Sequence, residues 1–176
     1  MYLTFDDGPH PTITPWVIAE LDKVGAKGTF FVVGENAERY AQTISDLQAN
    51  GHKVANHTQH HIKGWQSSKE IYLKDVEECA QVIGSKRLFR PPYGQINLGC
   101  MDELTGDYEV IMWDVLTKDY LKSLFVRRAQ KRIQKATRPG SIVVFHDSEK
   151  AEKNLKELLP EYVQFLKSEG YKMEVL

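Results

Sequence analysis

The chain has 176 residues and a net charge of −1, and hydrophobic residues make up 41% of it while charged residues make up 27%. We expect residues 1–176 to form a single domain, because this length suits one full hydrophobic core. The balanced charge gives no reason to expect nucleic acid as a partner, and no apolar run is long enough to be a membrane-spanning segment.

Strand-like apolar runs alternate with helical patterns along the chain. The sequence predicts strands over residues 2–5, 28–34, 52–57, 108–115, 140–147 and 171–176, and a further strand that ends at Arg90. It predicts helices from an N-cap at Thr14, over 35–50, from Ser67–Ser68 to Gly84, over the basic stretch 127–138, and over 149–169. This alternation predicts an α/β fold, either a barrel or an open doubly wound sheet. A barrel usually needs about 250 residues, so a barrel here would be compact or incompletely closed.

Two features are interpreted as structural. The basic stretch, with Arg127, Arg128, Lys131, Arg132, Lys135 and Arg138, is interpreted as a solvated helix face, with an anionic polymer surface as the alternative. Cys79 and Cys100 lack a metal-binding spacing and are interpreted as buried small hydrophobes. No signal peptide precedes Tyr2, and because the chain opens inside a strand, its localisation is left open.

Polar residues gather where predicted strands end, at Asp6, Asp7, His57, Arg90, Asp119 and His146. Barrels and open sheets alike place their sites at the carboxyl ends of strands. Two adjacent carboxylates repel unless a cation intervenes. A bound metal would resolve the repulsion, with one aspartate as its ligand and the other as general base. The alternative is a turn-forming pair before Gly8–Pro9.

The histidines favour a metal site over a turn-forming pair of aspartates. His57 and His61 are four residues apart, and on one helical turn they would share a face, as zinc-binding pairs do. Two imidazoles and the carboxylate of Asp7 would leave a fourth position open for water or substrate. His60 points differently at this spacing, so we expect it to be exposed or outside the ligand set.

Two further groups complete the constellation. Arg90 can hold a carboxylate such as Asp6, and the two prolines after it stiffen a turn that aims the Tyr93 N–H outward. His146 ends a buried strand and is a candidate general acid. Asp119 could orient His146, whereas the adjacent Asp147 has poor geometry for that role.

Four motifs in order, TFDDGP, HTxxH, RPPYG and VFH, resemble those of the polysaccharide deacetylases, carbohydrate esterase family 4. The resemblance covers nearly the whole chain. It implies a distorted, compact (β/α) barrel with about seven or eight mostly parallel strands. It also implies a hydrolase that uses a divalent metal, zinc foremost with cobalt or nickel as alternatives, to remove acetyl groups from glycans.

The resemblance also implies roles for individual residues. Asp6 would be the catalytic base held by Arg90, and His146 would be the acid oriented by Asp119. Metal binding is assigned to Asp7, His57 and His61, and oxyanion or substrate contact to Tyr93, Tyr120 and Trp113. The family usually has D-x-x-D-W where this chain has Leu116-Thr117-Lys118-Asp119-Tyr120. The first acid is therefore a leucine and the tryptophan is a tyrosine, which alters the groove wall.

The partner implied by the resemblance is an acetylated glycan that contains N-acetylglucosamine, such as peptidoglycan or chitin oligomers. No obligate protein partner is expected, and the substrate class suggests the cell envelope or the extracellular space. The sequence is also compatible with two alternatives. One is a hydrolase of another small or cyclic amide on the same scaffold, and the other is a metal-binding, glycan-binding protein without turnover.

Overall fold

A seven-stranded parallel sheet, curled into a half-barrel, forms the centre of the computed structural model, which describes all 176 residues. Its strands are β1 (Tyr2–Asp6), β2 (Gly28–Val32), β3 (Lys53–Asn56), β4 (Leu88–Phe89), β5 (Glu109–Val110), β6 (Val115–Leu116) and β7 (Ile142–His146). The helices are α1 (Ile13–Asp22), α2 (Gly34–Arg39), α3 (Ala41–Ala49), α4 (Lys69–Ile83), α5 (Met101–Asp107), α6 (Val126–Ala136) and α7 (Glu152–Ser168). The expected fold class, a distorted, compact (β/α) barrel with about seven or eight mostly parallel strands, is confirmed.

The open side of the barrel lies between β5 and β6. The strand order is β5-β4-β3-β2-β1-β7-β6, so two strands that are consecutive in the chain lie at opposite edges of the sheet. Residues 111–114 connect these edges, and the single strand predicted over 108–115 is therefore wrong. The carbonyl oxygens of Ile111 and Met112 accept hydrogen bonds from the side chain of Arg90 at 3.1 and 3.3 Å. The arginine satisfies backbone groups of the connecting segment.

Successive side chains of β1 point to opposite faces of the sheet. Leu3 and Phe5 pack into the large core between the sheet and the helices. Thr4 and Asp6 point to the other face, because side chains in a strand alternate with a period of two. A small apolar cluster that includes Phe31 covers part of this inner face. The inner face therefore holds the polar residues from which a site can be built.

Two helix boundaries differ from the prediction. The predicted helix over 35–50 is two helices that meet at Tyr40, whose φ of −122° and ψ of 46° are not helical. No glycine or proline marks this break. The N-cap of α1 is Thr12, and Thr14 lies inside the helix, where its hydroxyl donates to the carboxylate of Asp147. The bond to Asp147 explains why a threonine with a capping pattern is buried within the first turn.

The C-terminal segment forms no strand. Residues 171–176 make one isolated bridge, between Tyr2 and Glu174, instead of the predicted strand.

The prediction for the cysteines is confirmed, since Cys79 and Cys100 are both free and buried. The six basic residues of the α6 region are all exposed. No helix combines the length and the apolar character that crossing a bilayer requires.

Candidate active site

Asp6 and Asp7 are adjacent in the chain, yet both line the same cavity. Asp6 ends β1 and points to the inner face. Asp7 has a φ of 77°, a left-handed conformation that turns the chain out of the strand. Gly8 then passes so close to Asp147 that a Cβ on it would lie 2.2 Å from Asp147 Oδ2. The change of backbone conformation after Asp6 brings two consecutive carboxylates to one place.

Arg90 is fully buried and holds Asp6. Its Nη1 donates to Asp6 Oδ1 and to Thr4 Oγ1, both at 2.7 Å. The guanidinium carbon lies 4.0 Å from the ring centroid of Phe31 and 5.7 Å from that of Trp113. A charge-assisted bond of this kind is short and directional, and both partners here are shielded from water. The structure brings Arg90 and Asp6 together as the sequence predicts.

Asp7, His57 and His61 form a cluster that could hold a metal ion. Asp7 Oδ1 lies 3.1 Å from His61 Nε2 and 3.8 Å from His57 Nε2. The three ligand atoms lie within 4.8 Å of one another. Atoms at these separations can share one ion at metal–ligand distances of about 2.1 Å after small adjustments. Two imidazoles and one carboxylate form a donor set that zinc prefers in sites with an open position, so these residues fit a divalent metal.

The surroundings set the protonation of this cluster. His57 Nδ1 lies 2.7 Å from the Arg90 carbonyl oxygen, which can only accept, so Nδ1 carries the proton and Nε2 presents its lone pair to the cluster. Burial lowers the pKa of His57 to about 4. Burial opposes ionisation of Asp7, but the hydrogen bond from His61 and the charge of His146 outweigh it and hold the pKa of Asp7 below its ordinary value. His57 and Asp7 are therefore in the forms that bind metals.

The two histidines of the cluster lie in a loop, and the prediction that they share a helical turn is wrong. Thr58 and His61 have φ values of 66° and 54°, both left-handed. With the loop in this conformation, the imidazole rings of His57 and His61 lie at a centroid distance of 5.1 Å. A spacing of four residues is compatible with either geometry.

Two helices hold this loop in place. Gly34 at the start of α2 donates its N–H to the carbonyl of Thr58 at 2.9 Å. The carboxylate of Asp75 in α4 accepts from the backbone N of His60 at 3.0 Å and lies 2.6 Å from its Nδ1. The side chain of His60 is thus turned toward α4 and away from the metal cluster, as expected.

His146 ends β7 and is bound by Asp119. Asp119 Oδ1 lies 2.7 Å from His146 Nδ1, and Oδ2 accepts from the His146 backbone N at 2.8 Å. Burial opposes protonation of His146, but the hydrogen bond and charge of Asp119 outweigh it and raise the pKa of His146 to about 9. Asp147 instead accepts from the backbone N of Gly8 at 3.2 Å, so it does not compete for the imidazole. The imidazole is a proton donor at neutral pH, and its Nε2 is left for a ligand.

These groups surround one open cavity of about 400 Å³. Its lining comprises Asp6, Asp7, His57, His61, Pro91, Tyr93, Trp113, Leu116, Tyr120, Val144, His146 and Lys150. A cavity of this size accommodates a small-molecule unit such as one sugar with its substituent. All the residues assigned to oxyanion or substrate contact lie in this lining.

Tyr93 has a φ of 59° and ψ of 9°, left-handed values inside a short turn. No group of the protein accepts a hydrogen bond from its N–H. Its ring centroid lies 4.7 Å from that of His61. A free N–H beside the metal cluster is suited to bind a developing negative charge.

Sequence reasoning missed several supporting residues. Thr4 shares the inner face with Asp6 and binds Arg90, and the period of two along β1 could have identified it. Asn154 in α7 donates to the Asp119 carbonyl at 2.6 Å, and no sequence pattern points to it. Lys150 lines the cavity four residues after His146, again without a pattern that would reveal it.

The chain resembles known proteins in sequence. Residues 1–105 match the family described as polysaccharide deacetylase. A peptidoglycan-N-acetylglucosamine deacetylase of Bacillus cereus is 29% identical over 177 residues, which cover 97% of this chain and 83% of that protein. A chitooligosaccharide deacetylase of Azorhizobium caulinodans is 31% identical over 154 residues, which cover 84% of this chain and 73% of that protein. The chain spans about half, 55%, of another curated Bacillus cereus relative that it matches.

The fold is similar to a solved structure as well. The peptidoglycan deacetylase PdaC from Bacillus subtilis has a TM-score of 0.87 to this chain at 27% sequence identity. The superposed region covers 99% of this chain and 86% of the PdaC chain. The similarity therefore extends over the whole half-barrel, including the part that follows residue 105.

Proposed function

Because this chain belongs to the polysaccharide deacetylase family, we propose that it is a metal-dependent hydrolase that removes acetyl groups from an acetylated glycan. One observation carries the proposal. Asp6 bound to Arg90, the Asp7–His57–His61 cluster and His146 bound to Asp119 all line one cavity. A base, a cation site and an acid around one space are the parts that amide hydrolysis requires.

Asp6 is the proposed general base. Its hydrogen bond to Arg90 occupies Oδ1, which leaves Oδ2 to accept a proton from water. The carboxylate cannot rotate freely, because the arginine that holds it is itself fixed by Thr4 and by two backbone carbonyls. A fixed base within reach of water is the geometry that general base catalysis needs.

Asp7, His57 and His61 would hold the divalent cation. When bound, the cation would supply Lewis-acid polarisation of the acetyl carbonyl and lower the pKa of water. Zinc is the metal that we propose, because one carboxylate and two neutral imidazoles match its preference, and cobalt or nickel would bind the same donors. The Arg90 carbonyl keeps His57 in the tautomer that this binding needs.

The N–H of Tyr93 is the proposed donor to the oxyanion. Attack on an amide carbonyl places negative charge on its oxygen, and a pre-aimed backbone donor stabilises that charge. One such donor is worth about 3 kcal/mol of barrier. The left-handed conformation of Tyr93 keeps its N–H free of intramolecular partners.

His146 is the proposed general acid. Because Asp119 binds its Nδ1, the proton available to a leaving group is on Nε2. The nitrogen of an N-acetyl group leaves poorly unless it gains a proton as the carbon–nitrogen bond breaks. A protonated imidazole beside it would supply that proton. The products are acetate and the free amine of the sugar.

We propose an N-acetylglucosamine-containing glycan as the substrate, with residues 1–176 acting as one catalytic unit. The names of the relatives support this substrate class, since one is a peptidoglycan-N-acetylglucosamine deacetylase and another a chitooligosaccharide deacetylase. The substrate class in turn favours the cell envelope or the extracellular space as the place of action.

The test is acetate release from N-acetylglucosamine oligomers by zinc-loaded protein. We expect release that stops after exhaustive chelation and returns when zinc is added back. An Asp6→Asn variant serves as the control for contaminating activity. Acetate release that survives complete metal removal would overturn the proposed mechanism.

A further inference from the structure

Two exposed lysines each lie over a tyrosine of the cavity wall, and one of them, Lys150, also lines the cavity itself. The ammonium of Lys63 lies 5.2 Å from the ring centroid of Tyr93. The ammonium of Lys150 lies 5.2 Å from the ring centroid of Tyr120. At this distance the ring face attracts the cation, so each tyrosine holds an ammonium group beside the cavity.

The two tyrosines lie beside different parts of the site. The ring of Tyr93 is 4.7 Å from that of His61, in the metal cluster. The ring of Tyr120 is 5.0 Å from that of His146, the proposed acid. Each lysine thus lies against a tyrosine ring that is itself close to a histidine of the site. A sugar whose acetyl group enters the cavity would place its flanking substituents near these ammonium groups.

Neither Lys63 nor Lys150 forms an ion pair with an acidic side chain of the protein. The lysines that form ion pairs are Lys23, Lys27, Lys69, Lys74, Lys86 and Lys156. Both Lys63 and Lys150 are exposed. Of the acidic groups deeper in the cavity, Asp6 is paired with Arg90, and Asp7 would be paired with the cation that the proposed function assigns to Asp7 and the two imidazoles.

The remaining wall offers no opposing charge. Leu116 lines the cavity where an acid usually begins the corresponding motif, so this position does not repel an anion. Apart from the aspartates and histidines, the one charged side chain in the lining is Lys150, and the complement of an ammonium group is a carboxylate.

We propose that Lys63 and Lys150 select acetylated glycans that carry carboxylate substituents over neutral ones. The inference rests on the proposed function and adds to it the chemical class of substrate. The carboxylate can be a lactyl ether on the sugar or a uronic acid branch. Either would exchange part of its hydration for an ammonium partner at the mouth, while the acetyl group occupies the centre.

The first experiment compares substrates that differ only in charge. The probe is a peptide-free oligomer of alternating N-acetylglucosamine and N-acetylmuramic acid, with its lactyl carboxylates free or converted to methylamides. We expect KM to be about five-fold lower for the free acid per ammonium contact, because a solvent-exposed ion pair is worth up to about 1 kcal/mol. This preference should shrink in 1 M salt, where charges are screened within about 3 Å.

Variants assign the preference to the lysines. Lys63→Gln and Lys150→Gln should each reduce the ratio of the two KM values, and the double variant should bring it close to one. The ratio is the readout because any general effect on turnover acts on both substrates and cancels. Lys63→Arg and Lys150→Arg should restore it. Lys172→Gln is the matched control, since Lys172 is also exposed and its backbone contacts the N-terminus at the far end of β1.

A second substrate pair identifies the source of the carboxylate. An acetylated xylan oligomer with a glucuronic acid branch is compared with the same oligomer without the branch. If the KM values differ only between the two xylan oligomers, the lysines recognise uronic acids. If they differ only between the free acid and the methylamide of the first oligomer, the lysines recognise lactyl groups. Equal KM values within both pairs, or a ratio unchanged in the double variant, would overturn the inference.

Direct binding separates this inference from the proposed function. If wild-type protein released acetate from none of the substrates, the deacetylase proposal would fail. The dissociation constants of the charged and neutral oligomers, measured by calorimetry, would still decide whether the lysines select carboxylates. Equal or absent binding of the two forms would overturn the selection as well.

Discussion

Arg90 and Asp6 form a salt bridge, 2.7 Å between Nη1 and Oδ1, in which the arginine is completely shielded from solvent and the aspartate nearly so. The same guanidinium donates to the carbonyls of Ile111 and Met112 in the segment that joins the two edges of the sheet. Arg90 therefore holds both the proposed base and the segment that joins the two edges of the open barrel.

Replacing Arg90 with alanine should reduce the free energy of unfolding by about 3–5 kcal/mol, because it leaves a buried carboxylate without its partner. Urea denaturation followed by circular dichroism measures this loss. Arg87→Ala is the control, since Arg87 is exposed and only three positions earlier, and should change stability by less than about 0.5 kcal/mol. A loss as small as that of the control would show that Asp6 finds another partner.

Asp6→Asn and His57→Ala should separate turnover from metal binding. Asn at position 6 keeps the size of the side chain but cannot accept the proton from water, so acetate release should fall at least about 100-fold while zinc content stays near one per chain. His57→Ala removes a ligand, and zinc content should fall together with activity. Elemental analysis of the purified proteins gives the metal content. If Asp6→Asn emptied the site and Asp7→Asn did not, the roles of the two aspartates would be reversed.

Asp119→Asn should lower the pKa of His146. Burial alone disfavours the charged imidazole, and the hydrogen bond and charge of Asp119 overcome it to give a pKa of about 9. Removing that charge leaves the opposing effect of burial, so the basic limb of the kcat/KM profile should move to lower pH. The same shift should be visible in the ring proton resonances of His146 by NMR. An unmoved limb together with an unmoved resonance would exclude this role of Asp119.

The His146–Asp119 pair should also make the stability of the protein depend on pH. Folded protein holds the His146 proton up to a pKa of about 9, above the ordinary value of 6.5. The stabilisation is therefore complete below pH 6.5 and is lost as the pH rises through about 9. Wild-type stability should fall across this window more steeply than that of Asp119→Asn, as urea midpoints at a series of pH values would measure.

Gly34→Ala should disturb the loop that carries His57 and His61. A Cβ at position 34 would lie 1.9 Å from Gln59 Oε1 and 3.1 Å from Gln59 Cα, so a rotation of the glutamine side chain relieves only part of the clash. We expect a loss of about 1–3 kcal/mol in stability and weaker zinc binding in a competition titration with a chromogenic chelator.

Gly106→Ala is the matched control for this substitution. Gly106 lies in α5, and a Cβ there would have no neighbour within 4 Å. Alanine at that position should leave zinc affinity unchanged and raise stability by about 0.4–1 kcal/mol. Weaker zinc binding in both variants would mean that the effect of Gly34→Ala is not local to the loop.

The positions of the site residues could be predicted from the sequence because of how parallel sheets are built. Asp6 and His146 end strands that pair side by side, with these two residues in register. An apolar run followed at once by a polar residue marks the carboxyl end of a strand, and those ends meet at one edge. Once the strands are recognised, the convergence of Asp6, His146 and Arg90 follows.

Backbone conformation and long-range connections could not be predicted in the same way. The left-handed residues Asp7, Thr58 and His61 carry side chains. Aspartate and histidine adopt this conformation more often than most residues, but it is uncommon even for them, so residue type does not identify these positions. The spacing of four between His57 and His61 fits a helix and a reversed loop equally well. The run 108–115 is mostly apolar and reads as one strand. It nevertheless serves two edges of the sheet, and its middle is bound by Arg90, which is distant in sequence.

The seam between the two edges of the barrel has a consequence for how this protein loses activity. Because Arg90 binds both Asp6 and the segment that crosses that seam, we expect widening of the seam by heat or denaturant to release the carboxylate. Closure of the barrel and the position of the proposed base are thus linked through a single cation. A partly opened molecule would keep its helices and still be inert.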